Sequence, residues 1–295
     1  ARRDFAMNAI AVDLNAGEWV DPFGGVRDIQ RRRVRCVGEP SERFKEDGLR
    51  PLRAVRFRSV LNFEVESNTE AALGGALDTF GRVAWERKRV ELEKALVGVA
   101  VDPALSVLEA SGLLNALAPE LVGVSRPELA RLPLEPWLRV SAWLERARLN
   151  RADRMRLVKR FKVSGEVERN VEAWSAALAV EDVPLGARAF RHWLAEVGVR
   201  GARGAVAIWE GTDRISDQDA RRLRRRLRQP APHRLKDLAI TGDDLLALGF
   251  RGKQVGETLK TLLEGVLDSP SRNRRTLLLE AAHRLSTSDE APGDD

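Results

Sequence analysis

The sequence predicts a mainly α-helical protein with one small β-hairpin near its N-terminus. Three observations carry that prediction. Apolar residues alternate as in strands only in Ala9-Ile10-Ala11-Val12-Asp13-Leu14 and Glu18-Trp19-Val20, on either side of the turn-forming Asn15-Ala16-Gly17. From Glu46 onward the period lengthens to about 3.6. The later segments, among them VAWERKRVELEKALVGV, PALSVLEASGLLNAL, PWLRVSAWLERARL and VERNVEAWSAALAV, are amphipathic helices separated by Gly or Pro.

The remaining elements follow in order. DPFGG, with Pro22, Gly24 and Gly25, marks a bend, and VRDIQRRRVRCVG reads as a short basic segment ending near Gly38. RADRMRLVKRFKV, ARAFRHWLAEVGV and QDARRLRRRLRQ continue the helical pattern without a fixed-length repeat. Trp137, Trp143, Trp174, Trp193 and Trp209 lie on apolar helical faces and are expected to pack in cores. Gln229-Pro230-Ala231-Pro232 reads as a linker to a compact helical unit, and the polar, acidic residues from Ser286 onward are expected to be disordered.

Composition narrows the function. The 295 residues suffice for two or three units with their own cores, and 43% hydrophobic with 32% charged residues fits a globular protein. No apolar run approaches the roughly 20 residues of a membrane-spanning helix. After Arg2-Arg3 the chain meets Asp4, Asn8 and Asp13, which interrupt any secretory h-region, so a cytoplasmic protein is expected. Cys36 is the single cysteine and His192, His233 and His283 are scattered, so a zinc-type cluster cannot be assembled and any metal would need oxygen ligands. The net charge is +6, and only eight of the 50 cations are Lys. Arginine's fork binds phosphate bidentately, which favours a polyanionic partner, although an Arg-rich proteome produces the same composition.

The chemistry concentrates in EDGLRPLRAVRFRSVLNF. Asp47 can cap a helix, with Pro51 in or next to its first turn. Arg50, Arg53 and Arg56 recur every third residue and share one helix face, while Leu49, Leu52, Val55 and Val60 can bury the other. An Asp-Arg pair offers acceptors and donors to a base edge, and further guanidinium groups can meet a triphosphate; the same spacing also serves an ordinary salt-bridged, solvated face. RRDF adds Arg2, Arg3 and Asp4 beside the predicted strand, and in DPFGGVRD Asp21 and Asp28 flank Gly24 and Gly25, which permit a close backbone approach or a hinge. Arg221, Arg222, Arg224, Arg225, Arg226 and Arg228 surround a short helix, suited to an RNA backbone or simply to water. Asp217-Gln218-Asp219 forms a D-x-D, but Ser216 before it and the arginine-rich helix after it make these acids a helix's first turn.

In this order and spacing, RRDFAMNAIA, DPFGGVRDI, VGEPSERFKEDGLRPLRAVRF and VAWERKRVELEKAL resemble successive motifs of the class II tRNA nucleotidyltransferase family, which includes CCA-adding enzymes and bacterial poly(A) polymerases. The resemblance is close to about residue 97, returns in GLLNALAPEL and in DLAITGDDLLALGFRGKQVGETLKTLLEGVL, and is only general over 125–228. It implies a mainly α chain of neck, body and tail with a hairpin left from the nucleotidyltransferase head: head 1–37, neck 38–124, body 125–229, tRNA-contacting tail 230–285 and a disordered end at 286–295.

The resemblance also implies roles. CMP and AMP would pass from CTP and ATP to the 3′ end of tRNA. Arg2, Arg3 and Asp4 fall where the family contacts ribose and phosphates, and Asp47 and Arg50 fall on the pair that reads the incoming base. Arg53 and Arg56 continue toward the nucleotide, Glu86-Arg87 lies on a buttressing helix, and Asp21, Gly24, Gly25 and Asp28 lie on the joint between head and neck. Arg251 and Lys253 fall in the tail. The family's Mg²⁺ is held by a carboxylate pair in a G-S…D-x-D arrangement ahead of RRDF, so catalytic and metal-binding residues are expected upstream of Ala1 and none within this chain. None of the three histidines is followed by Asp, so the His-Asp phosphohydrolase of some relatives is not expected. The shared motifs leave open a poly(A) polymerase using ATP alone, and a non-catalytic RNA-binding protein.

Overall fold

In the computed structural model, which describes residues 3–288, the expected hairpin forms but is shorter than the alternation. β1 (Ala11–Val12) pairs antiparallel with β2 (Trp19–Val20), Ala11 opposite Val20 and Val12 opposite Trp19. Its turn closes on Asp13, whose carboxylate accepts the N–H groups of Asn15 and Ala16 at 2.8 and 3.2 Å. Phe5 and Ala6 are fully buried, and Ala6–Asn8 winds into a 3₁₀ turn.

The basic segment after the bend is two elements, not one: α1 (Gly25–Gln30) and β3 (Arg33–Val34). Then come α2 (Pro40–Glu46), α3 (Arg50–Leu61) and β4 (Glu64–Val65), the last pairing parallel with β3, Val34 opposite Val65. α4 (Ser67–Ala71), α5 (Leu77–Gly81), α6 (Trp85–Leu96), α7 (Val101–Ala110) and α8 (Leu113–Leu117) follow. Next are α9 (Pro136–Arg146), α10 (Arg151–Arg160), α11 (Gly165–Leu178) and α12 (Ala187–Gly211), which kinks at Gly198. The chain continues through α13 (Asp217–Arg228), α14 (Gly242–Ala247), α15 (Lys253–Asp268) and α16 (Arg275–Ser288). Among the described residues no helix is long and apolar enough to cross a membrane.

Packing divides the chain into two units, Ala1–Ser175 with Ala207–Arg214, and Ala176–Val206 with Ile215–Asp295. In the first, α3 packs along α6 and α7, and Phe5, Val34, Cys36, Phe44, Ala54, Leu73 and Ala76 form a core beneath α2 and α3. Burial pushes the Cys36 thiol up to about 11, which keeps it protonated and inert. Arg139, 1% exposed, donates to the carbonyls of Leu96, Leu132 and Pro133, so one buried guanidinium ties the end of α6 to the loop before α9. All five tryptophans singled out in the sequence are buried, as their spacing predicts.

The second unit holds the α14–α16 core of Leu238, Ile240, Leu245, Phe250, Leu262, Val266, Leu278 and Ala282. Ser286–Ser288 complete α16, because Leu278 and Ala282 fix that helix in the core and its pattern runs on; the rest of the segment expected to be disordered lies outside the described residues.

The C-terminus of α15 is held by cations from α12. Asp268 accepts from Arg188 at 2.6 Å and meets His192 at 2.8 Å, and Arg191 donates to the carbonyls of Leu267 and Asp268. The hydrogen bond from Arg188, then that from His192, draws the Asp268 carboxyl down from 3.8 to about 2. The folded-state value lies below the unfolded one, so this contribution is fully present above pH 3.8 and is lost as the pH falls toward 2. Acid titration of stability should therefore show a weaker decline between pH 4 and 2 in Asp268→Asn than in the parent, read by circular dichroism in urea.

Candidate nucleotide-reading site

The site is built where the turn between α2 and α3 rests on α5 and α6. Gly48 makes this possible: a Cβ there would lie 2.4 Å from the carbonyl carbon and oxygen of Thr79 and 2.6 Å from the Phe80 nitrogen, so the turn sits backbone on backbone. Thr79 Oγ1 also donates to the Phe44 carbonyl at 3.3 Å, fastening the end of α2 to the same place.

Asp47 does not cap α3 as the sequence predicts. It is the C-cap residue of α2, and the N-cap of α3 is Leu49, without a side-chain bond. The intervening turn is closed instead by Asp47 itself: its Oδ1 accepts the Leu49 N–H at 3.0 Å and its carbonyl accepts the Arg50 N–H at 3.0 Å. Across the turn, Arg87 of α6 reaches Asp47 Oδ2 at 3.2 Å, which is the buttress expected of the Glu86-Arg87 segment.

Arg50, Arg53 and Arg56 of α3 do not form a single cationic row. Arg50, 8% exposed, turns back to α2, where its Nη1 donates to the Arg43 carbonyl and the Glu46 carboxylate, both at 2.8 Å. Arg53 donates to Asp4 at 2.6 Å and lies 3.5 Å from Glu91. Arg56 pairs with Glu91 at 3.2 Å and stacks 4.0 Å from the centroid of Phe57, whose ring meets Phe5 edge-on. Of the apolar residues expected beneath, Leu49, Leu52 and Val55 are buried, but Val60 is 42% exposed because helical spacing places it beside Arg53 and Arg56, while its neighbour Ser59 is fully buried.

Asp4 is buried beside these arginines. Burial alone would raise its carboxyl, but the Asn8 hydrogen bond, the charge and hydrogen bond of Arg53 and the Phe5 N–H outweigh it and hold the group below the usual carboxylate range. Arg3 is exposed, and Arg2 lies outside the described residues. Glu91 is the residue the motif reading missed: it is 5% exposed and bridges Arg53 and Arg56. It stands four residues after Arg87, on the same face of α6, which is the signal that could have found it.

The bend is closely tied. Asp21 accepts the N–H groups of Gly25 and Val26 at 2.7 and 3.0 Å, capping α1, and Gly24 has φ +69°. A Cβ at Gly25 would lie 2.2 Å from the Ala6 carbonyl oxygen. Asp28, 1% exposed, holds Arg33 and Arg35, and Arg35 donates to the Phe23 carbonyl.

In the second unit, α13 buries Ala220, Leu223 and Leu227 and exposes Arg221, Arg222, Arg224, Arg225 and Arg228. Arg226 instead turns inward, donating to the Leu185 carbonyl at 2.8 Å and lying over Phe190. Ser216 Oγ accepts the Asp219 N–H at 3.1 Å and donates to its carboxylate, so the D-x-D acids form the first turn of α13. Arg251 and Lys253 are both exposed at the entry to α15, and Arg251 caps the carbonyls of Leu246 and Phe250.

Among the described residues no group of three or more His, Cys, Asp or Glu could hold a metal ion, and Asp4 is already committed to Asn8 and Arg53. These residues do not fit a magnesium site. What they do fit is the fixing of a polar turn by internal charge. Glu91→Gln would leave Arg56, whose guanidinium is already pulled down by burial, without its carboxylate; a loss of about 3 kcal/mol is expected by urea unfolding.

Three family models match successive parts of the chain: the poly(A) polymerase head domain at 1–35, the RNA- and SrmB-binding site of polymerase A at 62–123, and tRNA nucleotidyltransferase domain 2 at 137–282. The CCA-adding enzyme of Bacillus licheniformis is 34% identical over 298 residues, which cover 95% of this chain and 70% of that protein. That of Geobacillus kaustophilus is 33% identical, covering 93% and 69%. A crystal structure of the Bacillus stearothermophilus CCA-adding enzyme in complex with CTP superposes with a TM-score of 0.80 at 29% identity, covering 98% of this chain and 74% of that one. The chain thus spans about 70% of the length of the relatives it matches, and with them it belongs to the CCA-adding enzyme family of tRNA nucleotidyltransferases.

Proposed function

We propose that this chain selects the nucleoside triphosphate whose CMP or AMP unit is transferred, without a nucleic-acid template, to the 3′ end of tRNA in the cytoplasm. The observation that carries this reading is the Asp47–Arg50 turn. An acceptor and a donor group stand three residues apart on a backbone seated on α5, and each is oriented by an internal partner, Arg87 for Asp47 and Glu46 for Arg50. Such preorganisation fixes the direction in which each group meets a base edge. CTP in the B. stearothermophilus relative and the match to that enzyme over nearly the whole of this chain support it.

In this reading Arg2 and Arg3 approach the triphosphate, and Arg53 and Arg56 frame the site through Asp4 and Glu91. Residues 38–124 are the neck, 125–229 the body and 230–285 the tRNA-contacting tail. Asp21, Gly24, Gly25 and Asp28 form the joint about which the reading turn adjusts between the two bases. Magnesium would neutralise the triphosphate on carboxylates other than those described here, and the residues of this chain contribute selection, orientation and RNA grip. The exposed arginines of α13, with Arg251 and Lys253, meet the tRNA backbone.

A second reading rests on two of the family models, which are those of poly(A) polymerase. Full-length protein offered CTP and a tRNA lacking its CCA end separates the two: incorporation of CMP is expected, and an enzyme that ignores CTP is a poly(A) polymerase. Asp47→Ala in the same assay should admit UTP or GTP while leaving tRNA affinity within about twofold; unchanged selectivity would remove Asp47 from base reading. Replacing Arg221, Arg222, Arg225 and Arg228 with Gln should weaken tRNA binding and flatten its dependence on salt, by up to about 0.9 in log–log slope per lost phosphate contact.

A further inference from the structure

Lys88 is a buried cation without an anion. It is 2% exposed, and among the described residues no carboxylate lies within ion-pair distance of it. Its Nζ donates to the Gly81 carbonyl at 3.3 Å and lies 4.5 Å from the Trp85 ring centroid and 4.7 Å from that of Phe80. Trp85 in turn packs edge-on against Phe161 and has Arg160, paired with Glu120, at 5.9 Å. The ammonium is therefore enclosed by two aromatic faces and one carbonyl, at the corner where α5 ends and α6 begins.

For stability alone this is a poor arrangement. Desolvating an ammonium costs more than two cation–π contacts and one neutral acceptor return. An apolar side chain of similar length would fill the same space without that cost. A buried charge of this kind contributes direction: it must face both rings and the carbonyl at once, whereas an alkyl chain satisfies many orientations.

That corner carries the reading turn. Gly48 lies on the backbone of Thr79 and Phe80, Phe80 and Gly81 are two of the three groups that hold Lys88, and Arg87, adjacent to Lys88 on α6, binds Asp47. We infer that Lys88 is a positioning residue for base selection, fixing the α5–α6 corner so that Asp47 and Arg50 present their polar atoms at one separation. This rests on the proposed reading of bases by Asp47 and Arg50.

The test is nucleotide choice set against stability in the full-length protein, with Lys88→Met, Lys88→Arg and Asp47→Ala side by side. Lys88→Met is expected to melt no lower than the parent, yet to lose about tenfold in discrimination of CTP and ATP against UTP and GTP, chiefly through KM for the correct nucleotides. Lys88→Arg, which keeps a cation over the rings, should retain more of that discrimination than Lys88→Met. If Lys88→Met keeps its discrimination while Asp47→Ala loses it, or if Lys88→Met loses it only together with melting temperature, the positioning role is overturned. If Asp47→Ala itself discriminates normally, the base-reading assignment fails and this inference falls with it.

Discussion

The site depends first on the contact of Gly48 with α5. With 2.4 Å between a would-be Cβ and the Thr79 carbonyl, any side chain at this position would lift the turn by about 1 Å before reaching ordinary contact. Lifting it would move Asp47 away from Arg87 on α6 and Arg50 away from Glu46 on α2 together, because both flank the same turn. The constraint is backbone against backbone, so neighbouring rotamers cannot absorb it. This is why the polar groups of this largely buried turn are held as firmly as groups in a core.

Beneath the turn, charge is balanced inside the protein. Asp4 and Glu91 supply two carboxylates for the guanidinium groups of Arg53 and Arg56, and each acid comes from an element distant in sequence from α3. An ion pair of this sort contributes little when exposed, but a partly buried one is costly to break, since removing one member strands the other. The network thus acts as a clasp joining the N-terminal segment, α3 and α6. Arg221, Arg222, Arg225 and Arg228 of α13 obey the opposite logic: the helix buries Leu223 and Leu227 on its other side, and these guanidinium groups are exposed.

The helical class and the hairpin were legible because the period of the apolar residues changes once and stays changed, the tryptophans followed from the same pattern, and the Ser216 cap followed from a Ser placed just ahead of two acids and an arginine-rich helix. The direction of individual arginines was not legible. Spacing by three aligns Arg50, Arg53 and Arg56 on an isolated helix, but each long side chain goes to the nearest acceptor, and those acceptors come from residues 4, 46 and 91. Asp47 was misplaced for a related reason: Asp ahead of a Pro-containing first turn suits a cap, yet the preceding helix α2 claims its backbone. Lys88 carried no signal, since a lysine within WERKRVELEK reads as surface until Trp85 and Phe80 are seen to close over it.

Under the proposed function, these two treatments of charge would divide the labour within the chain. A group that must tell one base from another has to hold its position against a highly charged ligand, so its cations are matched internally and add little net field. A group that must hold any tRNA needs field and no fixed geometry, so exposed and mutually repelling cations serve it, with counterion release supplying the affinity. Salt follows the same division: screening weakens the exposed arginines of α13 far more than pairs shielded by burial. In the proposed reading, raising ionic strength loosens the RNA and also screens the exposed Arg87–Asp47 pair, so that the reading turn is left to its backbone seat on α5.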